Sequence, residues 1–279
     1  MFLICLSHDI EAVEHPYSST RGIIRALADR HTSRVALHYL MGRSSAKKNP
    51  YDTFDRILEL ERRYGATSTF FSVPINTAAV SSCLRKLRAA GSEVGLHGVG
   101  GRFIGPSEII RQKNITESLL GEQVVGVRNH SLELMIPRTF EFQKLAGFKY
   151  DASYFPPKYG NKRQYTPFMA VDGLTELPLA FMDSDFSEMT SIANVDKTWK
   201  RIERVLEEYR KNEGVCTILW HPHVFYDENN EIHRMRYRAF KEFDQLYEMI
   251  LRYGSENSDK MCSCAEILAL WKQTEETVW

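Results

Sequence analysis

Short apolar or β-branched runs that read as strands alternate along most of this chain with segments of helical period, and that alternation limits its possible folds. Phe2–Ser7 is a short apolar run, and Thr20–Arg30 has helical spacing. Pro50–Tyr64 is a clearer helix, with Phe54, Ile57, Leu58 and Glu61 at i, i+3, i+4 and i+7 before Gly65. Thr67–Val73 is rich in β-branched and aromatic residues and reads as a buried strand. Further pairs follow: Ser81–Ala90 then Glu93–His97, Pro106–Leu120 then Val124–Arg128, and Pro137–Ala146. The second half adds Thr175–Phe181 and Val215–Trp220 as strands, Val195–Lys211 and Met235–Tyr253 as helices, then a strand near Met261–Cys264 and a last helix. Strands alternating with helices predict a parallel sheet with helical crossovers. The expectation is an α/β protein, a single distorted (β/α) barrel of about seven parallel strands forming one domain over residues 1–279.

Composition narrows the function. The 36 Lys and Arg are balanced by 36 Asp and Glu, which argues against a dedicated nucleic-acid binder with a basic face. The five cysteines form no CxxC pair, and Cys5 and Cys216 sit in apolar runs as small hydrophobes do. The opening apolar run lacks the basic start of a secretory signal, and no run approaches the ~18 residues of a membrane span. The expected location is the cytoplasm.

Two segments interrupt the alternation. His31–Asn49 is polar and basic, and reads equally well as a solvated excursion or a binding loop. Its cluster Arg43, Lys47 and Lys48 is a solvated loop on the commoner reading, a phosphate or uronic-acid contact on the rarer one. Phe155–Asp172 is rich in proline and aromatics, and Tyr154 and Tyr165 are candidates for stacking on a sugar ring, with packing of the loop itself as the equal alternative.

The active site of a (β/α) barrel lies at the carboxyl ends of its strands. Reading off those ends gives Ser7-His8-Asp9-Ile10-Glu11, His97, Arg128-Asn129-His130 and Trp220-His221-Pro222-His223. Ionisable groups placed directly after apolar strands are costly unless paired, metal-bound or catalytic. Asp9 is the candidate general base, with a buried structural acid as the alternative. Arg128 is expected to pair with an acid such as Asp9 and tune its pKa. His221 is the candidate general acid, with a buried structural histidine next, and Trp220 is expected to wall the pocket. His97 weighs between ligand and satisfied core histidine. His130 weighs equally between ligand and hydrogen-bond partner.

In order and spacing, these pieces resemble the polysaccharide deacetylases of the NodB-homology group. Asp9 in HDIE resembles the motif holding a catalytic aspartate and a metal-binding acid. Ala66–Val73 (ATSTFFSV), Glu93–His97 (EVGLH), Gly126–His130 (GVRNH), Ala146–Ser153 (AGFKYDAS), Glu176–Leu179 (ELPL) and Leu219–His221 (LWH) are similar to the successive motifs after it. The closest likeness is to a divergent branch associated with surface-polysaccharide biosynthesis.

The resemblance implies a metal-dependent hydrolase that removes an acetyl group from an N-acetylated sugar, or from a sugar-lipid or sugar-nucleotide precursor. It implies a divalent cation, zinc first, with Glu11 and His97 as ligands. The family's H-x3-H motif is broken here: Gly101 stands where the second histidine is expected, and Glu11 replaces an aspartate. A third ligand is needed, and His130 heads a set that also holds His8, His221 and His223. Two alternatives stand beside this reading: a catalytically impaired carbohydrate binder, and a hydrolase of the C–N bond in a cyclic amide.

Overall fold

A computed structural model of the chain describes residues 1–28, 33–101, 104–189, 194–236 and 241–276. Its strands are β1 (Leu3–Ile10), β2 (Thr69–Ser72), β3 (Glu93–Gly98), β4 (Gly126–Asn129), β5 (Tyr150–Asp151), β6 (Phe168–Val171), β7 (Leu174–Glu176), β8 (Leu179–Met182), β9 (Val215–Leu219) and β10 (Lys260–Cys262). The helices of the first half are α1 (Thr20–Ala28), α2 (Ser33–Leu40), α3 (Ser44–Lys47), α4 (Phe54–Arg63), α5 (Ala78–Ala89) and α6 (Pro106–Leu120). Those of the second are α7 (Arg138–Leu145), α8 (Val195–Lys211), α9 (Glu231–Arg236), α10 (Lys241–Asn257) and α11 (Cys264–Glu276).

The strands join one ten-stranded sheet in the order β6-β7-β5-β4-β3-β2-β1-β9-β8, with β10 paired to β1. Every pairing is parallel except β6 with β7. The path has two ends, so the sheet curls into a half-barrel with helices outside it. No helix among the described residues is long and apolar enough to cross a membrane.

The pleat of β1 sorts its residues into two cores. Ile4, Leu6 and Ile10 point outward and pack with Phe54, Ile57, Leu84, Ile202 and Tyr247 of the surrounding helices. Leu3 and Cys5 point inward among Phe71, Tyr150, Ala152 and Cys264. Glycine makes that interior possible: a Cβ on Gly126 would lie 2.0 Å from the Tyr150 ring.

The structure departs from the sequence expectation in four places. β1 runs on to Ile10, so His8 and Asp9 lie within the strand rather than after it. The run Thr175–Phe181 is two strands: Pro178, which has no N–H to donate, separates β7, paired with β5, from β8, paired with β9. Of the helix expected over Met235–Tyr253, residues 237–240 lie outside the described residues; helix is present before them from Glu231 (α9), and α10 continues past Gly254 to Asn257. The basic segment expected as a loop holds α2 and α3, while residues 31–32 lie outside the described residues. It is tied to α9, where Glu231 Oε2 accepts from Ser45 Oγ at 3.1 Å.

Candidate active site

Asp9 and Arg128 form the floor. Asp9 faces inward one pleat above Ser7, only 3% exposed, and its Oδ1 accepts from Arg128 Nη1 at 3.1 Å. Burial pushes its pKa up, but His97, Arg128 and His221 outweigh burial and hold the carboxyl below its ordinary value. Asp9 is therefore ionised at neutral pH. Arg128 is fully buried on β4; its Nε donates to the Ala152 carbonyl at 2.8 Å and its guanidinium lies 4.5 Å over Phe71. Burial disfavours the charge, yet Asp9 opposite keeps Arg128 protonated, so each ion answers the other's desolvation cost.

Beside this floor, a carboxylate and two imidazoles converge. His97 on β3 is buried, and its Nδ1 lies 3.1 Å from the Arg128 carbonyl and 3.9 Å from Asp9 Oδ2. A carbonyl only accepts, so Nδ1 carries the hydrogen and Nε2 keeps its lone pair. Burial lowers the His97 pKa and favours that neutral, ligand-competent form. His130, directly after β4, places its ring 5.3 Å from that of His97 and its Nε2 3.4 Å from Glu11 Oε1. Glu11, His97 and His130 each offer a donor atom, all within 4.8 Å of one another. Two nitrogens and a carboxylate with an open side match a catalytic zinc site, so these residues fit the cation that the family resemblance implies.

Gly101 cannot take the part of the missing histidine. Its φ is +56°, and a Cβ there would meet Glu133 Oε2 at 2.5 Å. The imidazole arrives instead from the next strand end, just before Ser131 and Leu132, whose φ values of +59° and +54° turn the chain sharply.

Across the site, His221 follows β9 and Asp183 follows β8. Both Asp183 carboxylate oxygens lie 3.0 Å from His221 Nδ1, and the His221 backbone N–H donates to Oδ2 at 2.5 Å. Burial alone would lower the His221 pKa, but Asp183 overrides it and the value is raised to about 9. His221 is an imidazolium at neutral pH, and Nε2 is its remaining donor. Sequence reasoning missed Asp183. The strand-end rule would have found it had β8 been read to Met182.

These groups open on one cavity of about 370 Å³ lined by Asp9, Glu11, His97, His130 and His221, with Leu132, Phe155, Met182 and Leu219 as apolar walls and Ser131 and Lys158 beside them. Several expected residues are elsewhere. Trp220 is fully buried, 5.6 Å from Phe243 and 5.7 Å from Tyr247 by ring centroid, because the pleat turns it outward and leaves Leu219 as the wall. Tyr154 stacks on Tyr159 at 5.4 Å and does not line the cavity. Tyr165 sits at the amino end of β9, where its carbonyl accepts from Val215, the wrong end for the site. His8 points out of the barrel to Glu61, and His223 lines a smaller cleft of about 70 Å³ with Tyr51 and Pro222; neither joins the ligand cluster.

No protein-family model matches the sequence, and no curated protein matches it. Solved structures do. A Mycobacterium smegmatis protein assigned as a polysaccharide deacetylase superposes with TM-score 0.63 at 18% identity, covering 98% of this chain and 91% of that one. One from Pseudomonas aeruginosa PAO1, with the same assignment, gives 0.62 at 14% identity over 98% and 91%. Puue allantoinase gives 0.62 at 13% identity over the same shares. The chain therefore has the NodB-like polysaccharide-deacetylase fold, as its sequence motifs led one to expect.

Proposed function

We propose that this chain is a metal-dependent carbohydrate N-deacetylase, a single catalytic domain over residues 1–279 acting on an N-acetylated sugar or its lipid- or nucleotide-linked precursor. One observation carries the reading: an ionised carboxylate, a three-donor cluster and a protonated histidine meet in one apolar-walled cavity. A divalent cation, zinc by donor type, held by Glu11, His97 and His130 would polarise the acyl carbonyl and acidify water.

The chain's own groups supply the rest. Asp9, kept ionised by Arg128, accepts the proton of the attacking water at its carboxylate. His221 donates its proton to the departing amine nitrogen, and Asp183 holds the imidazolium in place. Leu132, Met182 and Leu219 enclose the acetyl methyl and exclude bulk water.

Acetate release tests this directly: zinc-loaded protein is incubated with N-acetylated sugars, and chelator-treated protein serves as control. Release that stops on chelation and returns with zinc supports the proposal. Puue allantoinase is as similar in fold as the deacetylases, which keeps cyclic amides as the second substrate class. Hydrolysis of a cyclic amide without acetate release would select it. Carbohydrate binding with neither reaction would identify an impaired relative.

A further inference from the structure

Between β1 and α4 the chain inserts a pair of helices whose outer surface the catalytic reading does not use. α1 and α2 pack against each other and bury Ala26, Val35 and Ala36 with Tyr17, Ala46 and Ile232. The opposite faces are apolar as well: Ile24, Leu27, Leu37, Leu40 and Met41 are each between 40% and 64% exposed. Arg34 and Leu37 on α2 stand at i and i+3, and Met41, one residue past its end with its N–H on the Leu37 carbonyl at 2.9 Å, stands at i+7, so cation and apolar side chains share one stripe.

Charge is concentrated in the same place. Residues 20–48 hold seven Lys and Arg against the single acid Asp29, a net +6 in a chain whose total is zero. The rest of the molecule is therefore net negative by the same amount. Arg21, Arg25, Arg34 and Arg43 are exposed. The insertion leaves β1 just after Glu11 and returns at Tyr51, which lines a cleft with Asp9 and Glu11, so it stands at the mouth of the barrel.

We propose that α1 and α2 dock this protein onto an anionic lipid bilayer, apolar side chains entering the interface and arginines meeting the headgroups. Exposed leucine, isoleucine and methionine interleaved with cations is the composition of interfacial helices. Phosphates of a nucleic acid would use the arginines and leave the apolar residues in water. A two-fold dimer through this same surface would set +6 against +6.

The test is flotation of the full chain with vesicles of phosphatidylcholine alone, or with one third phosphatidylglycerol. The expected result is binding to the anionic vesicles only, weakened by high salt. R21Q/R25Q/R34Q should lower partitioning roughly 100-fold, at about five-fold per cation. L37S/L40S/M41S should also release the protein. Unchanged thermal unfolding of both variants, whose altered side chains are exposed, establishes that they fold. No flotation, equal flotation on neutral vesicles, or an L37S/L40S/M41S variant that floats like the parent would overturn the proposal. So would tighter binding to duplex DNA than to anionic vesicles, or dimers that only the apolar substitutions dissolve.

Discussion

Two acid–base clusters stand one residue apart on β1 and face opposite ways. Outward, His8 is fully buried, stacked on Phe70 at 4.6 Å, with Nδ1 2.5 Å from the Trp220 carbonyl and Nε2 2.9 Å from Glu61 Oε1. Glu61 is closed off in turn by Tyr247 Oη at 2.7 Å and Ser68 Oγ at 2.8 Å. Inward, Asp9 has Arg128 on one side and the cavity on the other, and Arg128 Nη2 has no hydrogen-bond partner. Both clusters hold buried charge-bearing groups. Only one opens on a cavity, so burial and charge alone do not mark a site; access does.

Substitutions on the two faces should therefore fail in different ways. Asp9→Asn is expected to lower turnover about 1,000-fold or more in protein that circular dichroism shows to be folded. Glu61→Gln should cost about 3 kcal/mol in urea unfolding, since it uncouples a buried pair, and leave turnover per folded molecule unchanged. Equal loss of turnover in both would erase the distinction between the faces.

Asp183→Asn sharpens it at the far wall. Without that carboxylate, only Asp9 and Glu11 oppose burial and His221 returns towards its ordinary value of about 6.5, at which the rate at pH 8 falls roughly 30-fold. In the parent, the high-pH limb of the rate profile should lie near the His221 value of about 9. The folded-state pKa is raised, so the stability this pair contributes is complete below pH ~6.5 and is lost as pH rises through about 9. The variant should lack that loss in pH-dependent unfolding. The smallest effect is expected for Trp220→Phe: about 1 kcal/mol of stability and no change in KM, because its indole N–H has no partner and its ring faces the outer core. A raised KM would return Trp220 to the pocket.

Much of the fold was legible because strand and helix periods are local. The bounds of α6 and α8 follow directly from spacing and end signals. The break at Pro178 was harder, since it lies inside a run of continuous apolar character. At the site, the strand-end rule placed Asp9, His97, Arg128, His130 and His221 at one mouth. It could not say which way a side chain points once the strand outruns its apolar run. That is why His8 and Trp220 looked like site residues, and the pleat sends both outward. Tyr154 and Tyr165 were chosen for ring type alone, and ring type does not encode which end of the barrel a loop reaches. Asp183 was hidden by placing the strand end one residue early.

The central claim is that Glu11, His97 and His130 together hold one divalent cation at this mouth. Elemental analysis of purified protein, after zinc loading and exhaustive dialysis, tests it most directly when the parent is compared with His97→Ala and His130→Ala. The account predicts one zinc ion per parent chain and loss of that ion in both variants, each still folded by thermal unfolding. A parent that retains no zinc, or a His130→Ala variant that retains as much as the parent, would contradict it.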